Sequence, residues 1–223
     1  GPLARVPDGP LSAILNRSVD GPVPIRRDTA AARRLLAARG WLDHDGDGVL
    51  DKDGKPLTFG LMIPKVVASR VALGTEMQEA WRRLGVTAEL DAIERNVYTE
   101  RRNAGRFDLE LSAASQDPTP SGLVQSWTCA GIGGSNVSHY CDPKVDSLLA
   151  RAAVAMPHRA RQLYREAVRQ IAEDVPAIFL AAPVFGTPVH RRFTSVVARP
   201  ESSWSLVWQW ALLPGQQIDR DRP

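Results

Sequence analysis

No apolar run in this 223-residue chain approaches the length needed to cross a bilayer, so no segment is expected to span a membrane. Local catalytic signatures are missing as well. There is no Walker lysine, no GxSxG and no nucleophile beside an evident base. The histidines, His44, His139, His158 and His190, are scattered, without metal-ligand spacing or an HExxH. GIGGSN (131–136) starts like a phosphate loop but does not join a strand directly to a helix. Basic tracts are lacking too: 28 Lys and Arg stand against 25 Asp and Glu, leaving a net charge of +3. The arginines lie along helices beside acidic neighbours, which leaves no footprint for a nucleic acid. With these absences an enzyme is not expected, and no catalytic residue or cofactor is assigned. A site assembled from distant residues would leave no local signature, so a hydrolase ranks last. Internal repeats are absent, and cysteine occurs only twice.

What is present is an ordinary globular composition, 43% apolar and 24% charged, in a chain long enough to bury a core. Gly1-Pro2-Leu3 has neither signal-peptide features nor an initiator methionine. The chain therefore reads as a segment of a longer protein, and its start is silent on localisation. Residues 1–27 are rich in Pro and Gly and read as a connecting segment. Asp28 caps a helix, TAAARRLLAARG, expected to bury Ala32, Leu35 and Leu36 and to stop at Gly40. From Leu57 strands and helices alternate. Leu57–Ile63 is a strand, and residues 68–84 form a helix whose predicted stripe is Leu73, Met77, Trp81 and Leu84. Val86–Asp91 is a second strand, Val97–Ala104 a short helix, and a third strand starts at Phe107. This order predicts right-handed crossovers and a largely parallel α/β sheet flanked by helices.

Residues 43–54, DHDGDGVLDKDG, copy the first nine positions of an EF-hand loop. The twelfth position is Gly54 in place of a bidentate Glu, and KPLTFGLMI reads as a strand, not a flanking helix. An Asp/Gly turn leading into a hairpin or strand is the preferred reading. Asp43, Asp45, Asp47 and Asp51 are kept as a weak calcium candidate, and no other metal site is assigned.

The stretch from Phe107 to Leu149 is where function is sought. Phe107, Leu109 and Leu111 alternate with Asp108, Glu110 and Ser112 as in a half-buried strand. A long connection follows, and long connections in compact domains are usually functional or disordered. This one carries Trp127, Cys129 and Cys141, which argues against disorder. Two cysteines 12 positions apart in one glycine-rich connection favour a disulfide over two buried thiols, and an oxidising compartment. Closing such a loop contributes roughly 3 kcal/mol on the chain-entropy account. Asp142-Pro143 restarts a helix. A second one opens at Pro157, burying Leu163, Ala167, Val168 and Ile171. AIFLA (177–181) suits a buried strand, and Trp204, Trp208 and Trp210 suit packing more than ligand stacking.

AAARRLLAARGW, DHDGDGVLDKDGKPLTF, EMQEAWRRLGV, FDLELSA, SWTCAGIGGSNVSHYCDPKVDSLLARA and RQLYREAVRQIAEDVPAIFL occur in this order. Together they resemble the family 5 extracellular solute-binding proteins, the dipeptide, oligopeptide and nickel receptors of ABC importers. The resemblance covers nearly the whole chain, and the GGSN loop is most similar to the dipeptide branch, where the equivalent cysteine pair is bridged. It implies the C-terminal half of a two-lobed receptor with a type II periplasmic-binding-protein lobe. Residues 1–27 would come from the first lobe, 28–182 would form the second-lobe α/β domain, and 183–223 would return toward the hinge. The implied function is ligand capture for an ABC importer, with a peptide or another small polar solute as ligand. The alternative is a receptor-like scaffold used for adhesion or regulation without transport. Permease subunits are the implied partners. The chain would be an extracytoplasmic monomer, periplasmic or part of a cell-surface lipoprotein, touching a membrane only through an anchor outside this chain. Candidate ligand-binding residues are Ser112, Ser115, Gln116, Asp117 and Trp127. Ala114 stands where peptide receptors of the family usually place an amine-binding aspartate.

Overall fold

The computed structural model describes residues 4–7, 9–10, 27–114, 117, 119–184, 186–199 and 202–219. In chain order the elements are strand β1 (Ala4–Arg5), helix α1 (Thr29–Ala38), strands β2 (Asp51–Lys52), β3 (Lys55–Pro56) and β4 (Thr58–Pro64), and helix α2 (Ala68–Arg82). Strand β5 (Thr87–Ile93), helix α3 (Arg95–Asn103), strand β6 (Leu109–Glu110) and helices α4 (Pro120–Trp127), α5 (Pro143–Val154) and α6 (Pro157–Asp174) follow. Strands β7 (Ala182–Pro183), β8 (Phe193–Thr194) and β9 (Ala211–Leu212) complete the set, with short 3-10 turns at Cys129–Gly131 and Val207–Gln209. Contacts divide the chain into two units, Asp8–Ile178 and Gly1–Pro7 with Phe179–Pro223.

In the larger unit the main sheet is parallel, in the order β5-β4-β6. Strand β4 is central, and Leu61, Met62, Ile63 and Pro64 are all buried, the continuous apolar run of a strand covered on both faces. Leu61, Ile63 and Leu111 form the core on one face, where Val71, Met77 and Trp81 of α2 pack with Leu90. On the opposite parity α3 engages the other face. Its Tyr98 hydroxyl donates to Glu110 Oε2 at 2.7 Å, and Arg101 donates to Asp91 Oδ2 at 2.5 Å. One crossover leads from β4 to β5 and the next returns past β4 to β6. Two right-handed crossovers in opposite directions place their helices on opposite faces. The expected parallel α/β sheet is thus present.

Four local expectations need correction. Of the predicted α2 stripe, Met77 and Trp81 pack on the core and Leu84 is half-buried, but Leu73 is 37% exposed, and Val71 and Gly74 face the sheet in its stead. The cause is Gly74: a Cβ there would lie 2.4 Å from Ile63 Cδ1, so the missing side chain lets α2 settle onto β4. In α1, capped by Asp28 as expected, Ala32 and Leu36 are half-buried but Leu35 is 68% exposed. That helix is tied down by polar bonds, Arg33 to Arg83 O and Lys52 to Arg39 O. Strand β6 is a two-residue edge strand on which Leu109 is exposed and Glu110 is half-buried under Tyr98. AIFLA forms no strand among the described residues. Val175 adopts a left-handed conformation (φ 51°), Pro176 follows, and Ile178 is 67% exposed.

Helices α5 and α6 pack on each other, burying Val145, Leu148, Leu149 and Ala152 with Leu163, Ala167, Val168 and Ile171. Asp142 caps α5 by accepting from Lys144 N at 2.7 Å. In the smaller unit β1 pairs with β7 and β8 with β9, both antiparallel. Trp204 stacks on Trp210 at 5.4 Å. Packing there leaves Trp204 and Trp208 largely exposed.

Two predictions follow from this packing. Gly74→Val should cost about 1–3 kcal/mol in urea unfolding, because Ile63 is buried and the helix cannot back away freely. A loss below about 0.5 kcal/mol would mean that α2 does not depend on the close approach. The second concerns alkaline pH. Burial, then Glu110, pushes the Tyr98 phenol above its ordinary value, and burial with Asp174 does the same for Tyr140. A folded-state pKa above the unfolded value of about 10 gives stability that is complete below pH 10 and is lost as pH rises beyond it. The urea midpoint should therefore fall above about pH 10, and the fall should be shallower in Tyr98→Phe/Tyr140→Phe.

Candidate functional site

In an open parallel sheet, ligands gather beyond the carboxyl ends of the strands, at the point where crossovers diverge to opposite faces. Here that point lies between β4 and β6. The chain leaves β4 through Lys65 toward α2, and leaves β6 through Leu111 and Ser112 toward α4. Leu111 N donates to Met62 O at 3.0 Å, which carries the pairing to the lip of the sheet. Lys65 N bonds to Ile93 O across the neighbouring strand end, and Lys65 Nζ meets Glu94 Oε1 at 2.5 Å, both side chains more than half exposed. Sequence reasoning missed this ion pair. Its signal was a charge directly after each of two parallel strands, at Lys65 and Glu94.

Ser112 is half-buried at the lip, and Ala113 and Ala114 are exposed. Ser115 and Gln116 lie outside the described residues. Asp117 is exposed, and its Oδ1 accepts Thr119 N at 2.9 Å, the side-chain turn that Asp favours. The start of α4 tucks beneath it: a Cβ on Gly122 would sit 2.6 Å from Asp117 O. Trp127, a candidate ligand contact, lies on the buried side of α4. It is only 5% exposed and meets Tyr140 edge-on at 6.4 Å, so its ring supports α4 from inside.

Helix α4 itself lies in the connection expected to be irregular. Thr119 with Pro120 at the first helical position starts it, and Gly122, Leu123 and Trp127 form its buried face. Beyond it, Cys129 and Cys141 are joined in a disulfide. Asn136, 1% exposed, fills the centre of the loop they close, donating to Thr128 O at 2.9 Å and Tyr140 O at 2.7 Å. His139 Nε2 lies 3.0 Å from Arg102 O and its ring faces Phe107, pinning the loop to the end of α3.

The aspartates of residues 43–54 turn inward on their own backbone. Asp43 accepts from Gly46 N and Gly48 N, Asp45 from Asp47 N, and Asp47 from Val49 N. Carboxylate oxygens of these three lie within 4.8 Å of one another, all exposed. Asp51 instead accepts from His44 N and meets its ring at 3.0 Å, and the His44 N–H lowers its pKa first. The segment leads into the β2–β3 hairpin. Two surface cavities lie away from the lip. One, about 330 Å³, is lined from α5 and α6 by Lys144, Leu148 and Arg169, and the other, about 370 Å³, lies by Gly60, Asp91, Arg101 and Phe107.

Comparison with known proteins fits this geometry. Residues 4–134 match the model of the bacterial extracellular solute-binding proteins, family 5 (middle region). The chain belongs to this family. Among curated family 5 relatives it is 27% identical to the oligopeptide-binding protein AppA of Bacillus subtilis over 188 residues, covering 82% of this chain and 34% of that protein. It is 28% identical to di/tripeptide-binding protein 3 of Pseudomonas aeruginosa over 170 residues, covering 74% and 30%. The chain thus spans about a third of the length of these relatives. In fold it is similar to AppA of Bacillus subtilis in complex with a nonapeptide, with a TM-score of 0.76, 23% identity and coverage of 95% of this chain and 43% of that one. NikZ of Campylobacter jejuni in complex with Ni(L-His) gives 0.73 at 23% identity, covering 94% and 44%. MelB of Agrobacterium fabrum in complex with stachyose gives 0.71 at 18%, covering 88% and 32%. These establish a type II periplasmic-binding-protein fold.

The supporting loop makes a direct prediction. A Cβ on Gly131 would lie 2.2 Å from Gln125 O, a backbone atom that cannot swing aside. Gly131→Ala should therefore cost about 2 kcal/mol or more by urea unfolding. Gly134→Ala, where the nearest atom is an ordinary 3.4 Å away, should cost less than about 0.5 kcal/mol. Equal losses in the two variants would remove Gly131's special role.

Proposed function

We propose that this chain is a ligand-capturing lobe of a solute-binding protein that delivers a peptide or another small polar solute to an ABC importer, and that it does no catalysis. The family match over residues 4–134 carries the reading. The direct contacts proposed are Ser112 and Asp117, with Ser115 and Gln116 of the same stretch of sequence; the Lys65–Glu94 pair at the ends of the neighbouring strands supports a polar ligand there. Trp127 holds the α4 support beneath. Residues 28–182 are assigned to the second lobe, 1–27 to the segment arriving from the first, and 183–223 to the tail returning toward the hinge. Permease subunits are the proposed macromolecular partners and the extracytoplasmic space the proposed location. A receptor of this kind closes two lobes on its ligand.

The ligand is proposed only as a class because proteins similar in fold are in complex with a nonapeptide, a nickel–histidine complex and stachyose. Ala114, exposed at the lip, favours a second reading in which the scaffold serves adhesion or regulation. Isothermal titration of this chain and of the intact receptor, against di- to nonapeptides, nickel–histidine and oligosaccharides, separates the two. The intact receptor should bind one class, and this chain should bind the same class at least about 100-fold more weakly, because one wall of apolar burial is missing. Equal affinities would place the whole site inside these residues. An intact receptor that binds none of the probes and carries no small molecule in native mass spectrometry would favour the second reading.

A further inference from the structure

The buried amide of Asn136 stands in an informative relation to the cysteines. Its two acceptors, Thr128 O and Tyr140 O, belong to the residues immediately before Cys129 and Cys141. One NH2 group therefore draws together the two backbone positions from which the sulfurs hang, and the cysteine Cα atoms lie 4.4 Å apart. The amide is itself held in orientation. Asn136 Oδ1 accepts from Ser138 Oγ at 3.0 Å, and Asn136 N donates to Gly131 O at 3.1 Å. The flanks are held independently: Cys129 N donates to Asp146 Oδ1 on α5 at 3.1 Å, and Thr128 Oγ1 to Val124 O on α4 at 2.7 Å. None of these bonds passes through sulfur.

We infer that Asn136 templates the Cys129–Cys141 bridge: the loop closes on its hydrogen bonds, and the disulfide then locks a shape that exists without it. The bridge is on this account a tolerant one. Reduction removes the lock, leaves the two thiols side by side, and lets a low-molecular-weight disulfide such as oxidised glutathione restore it. In the restoring reaction the thiolate of Cys141, the more exposed of the two, attacks glutathione disulfide and releases one glutathione thiolate. The Cys129 thiolate then attacks the mixed disulfide and expels the second. The protein loses two protons and two electrons, and one glutathione disulfide becomes two thiols.

Two measurements test this on the chain as it stands. In native reduced protein, the Asn136 N–H should keep hydrogen-exchange protection within about threefold of the oxidised form, because its acceptor Gly131 O is held by the network. Protection that falls to the rate of an unfolded loop would show that sulfur holds the loop and would overturn the inference. In a glutathione redox buffer, Asn136→Asp keeps the side-chain volume but removes both N–H donors. Its effective thiol concentration should fall about tenfold or more, as expected for losing two buried hydrogen bonds. Far-ultraviolet circular dichroism and exchange in α5 and α6 report whether the variant folds. A folded Asn136→Asp with the wild-type effective concentration would also overturn it. Should that variant not fold, the exchange measurement on reduced wild-type protein, repeated on Cys129→Ala/Cys141→Ala, decides alone.

Discussion

A buried amide nitrogen with two carbonyl acceptors sets the shape of the half of the domain that follows the sheet. Asn136 supplements a stretch with little regular secondary structure, and satisfies backbone groups that would otherwise be desolvated without partners. Around it, α4 is fixed through Thr128, α5 through Asp146 and the end of α3 through His139. One glycine beside it is there for space: Gly131 lies against Gln125 O with no room for a side chain. What looks in the sequence like a flexible glycine-rich connection is a packed corner.

The sheet and this corner divide the work at the lip. Covering β4 on both faces fixes where the strands end, so Lys65, Glu94 and Ser112 emerge at one edge from three adjacent strands. The corner fixes α4, and the tight approach of Gly122 to Asp117 O holds Asp117 against the start of that helix. The groups proposed to meet the ligand would thus stand on one strand system and one braced helix, the arrangement that lets polar contacts act without reorganising.

Much of this was legible in residues. The 2- and 3.6-residue periods located β4, β5, α2, α5 and α6, and the capping pairs Asp28 and Asp142-Pro143 marked helix starts because their chemistry is local. The burial of Leu163, Ala167, Val168 and Ile171 came directly from spacing. What failed depended on non-local contacts. Gly74 reads as a weak point in a helix but is where α2 touches β4, and that contact leaves Leu73 outside while Met77 and Trp81 stay on the core. Leu35 and Leu109 belong to apolar patterns, yet both stay exposed. Trp127 sat in the expected stretch, but its burial depends on α4, which forms where Pro and Gly suggested a loop. At the lip, Ser112 and Asp117 were visible as polar residues after a strand, whereas Lys65–Glu94 required knowing that β4 and β5 are neighbours in register.

The central position of β4 also has a bearing on how the chain assembles in time. Both of its partners come later in sequence: Thr58 waits for Thr87, 29 residues on (87 minus 58), and Leu61 for Leu109, 48 residues on (109 minus 61). During vectorial synthesis the most apolar strand of the sheet is therefore made first and stays unpaired until both crossovers have emerged. Parallel pairing over such separations is intrinsically slow. Until it completes, the nascent polypeptide presents TFGLMIP as an open, sticky segment, the kind of sequence that holdase chaperones shield.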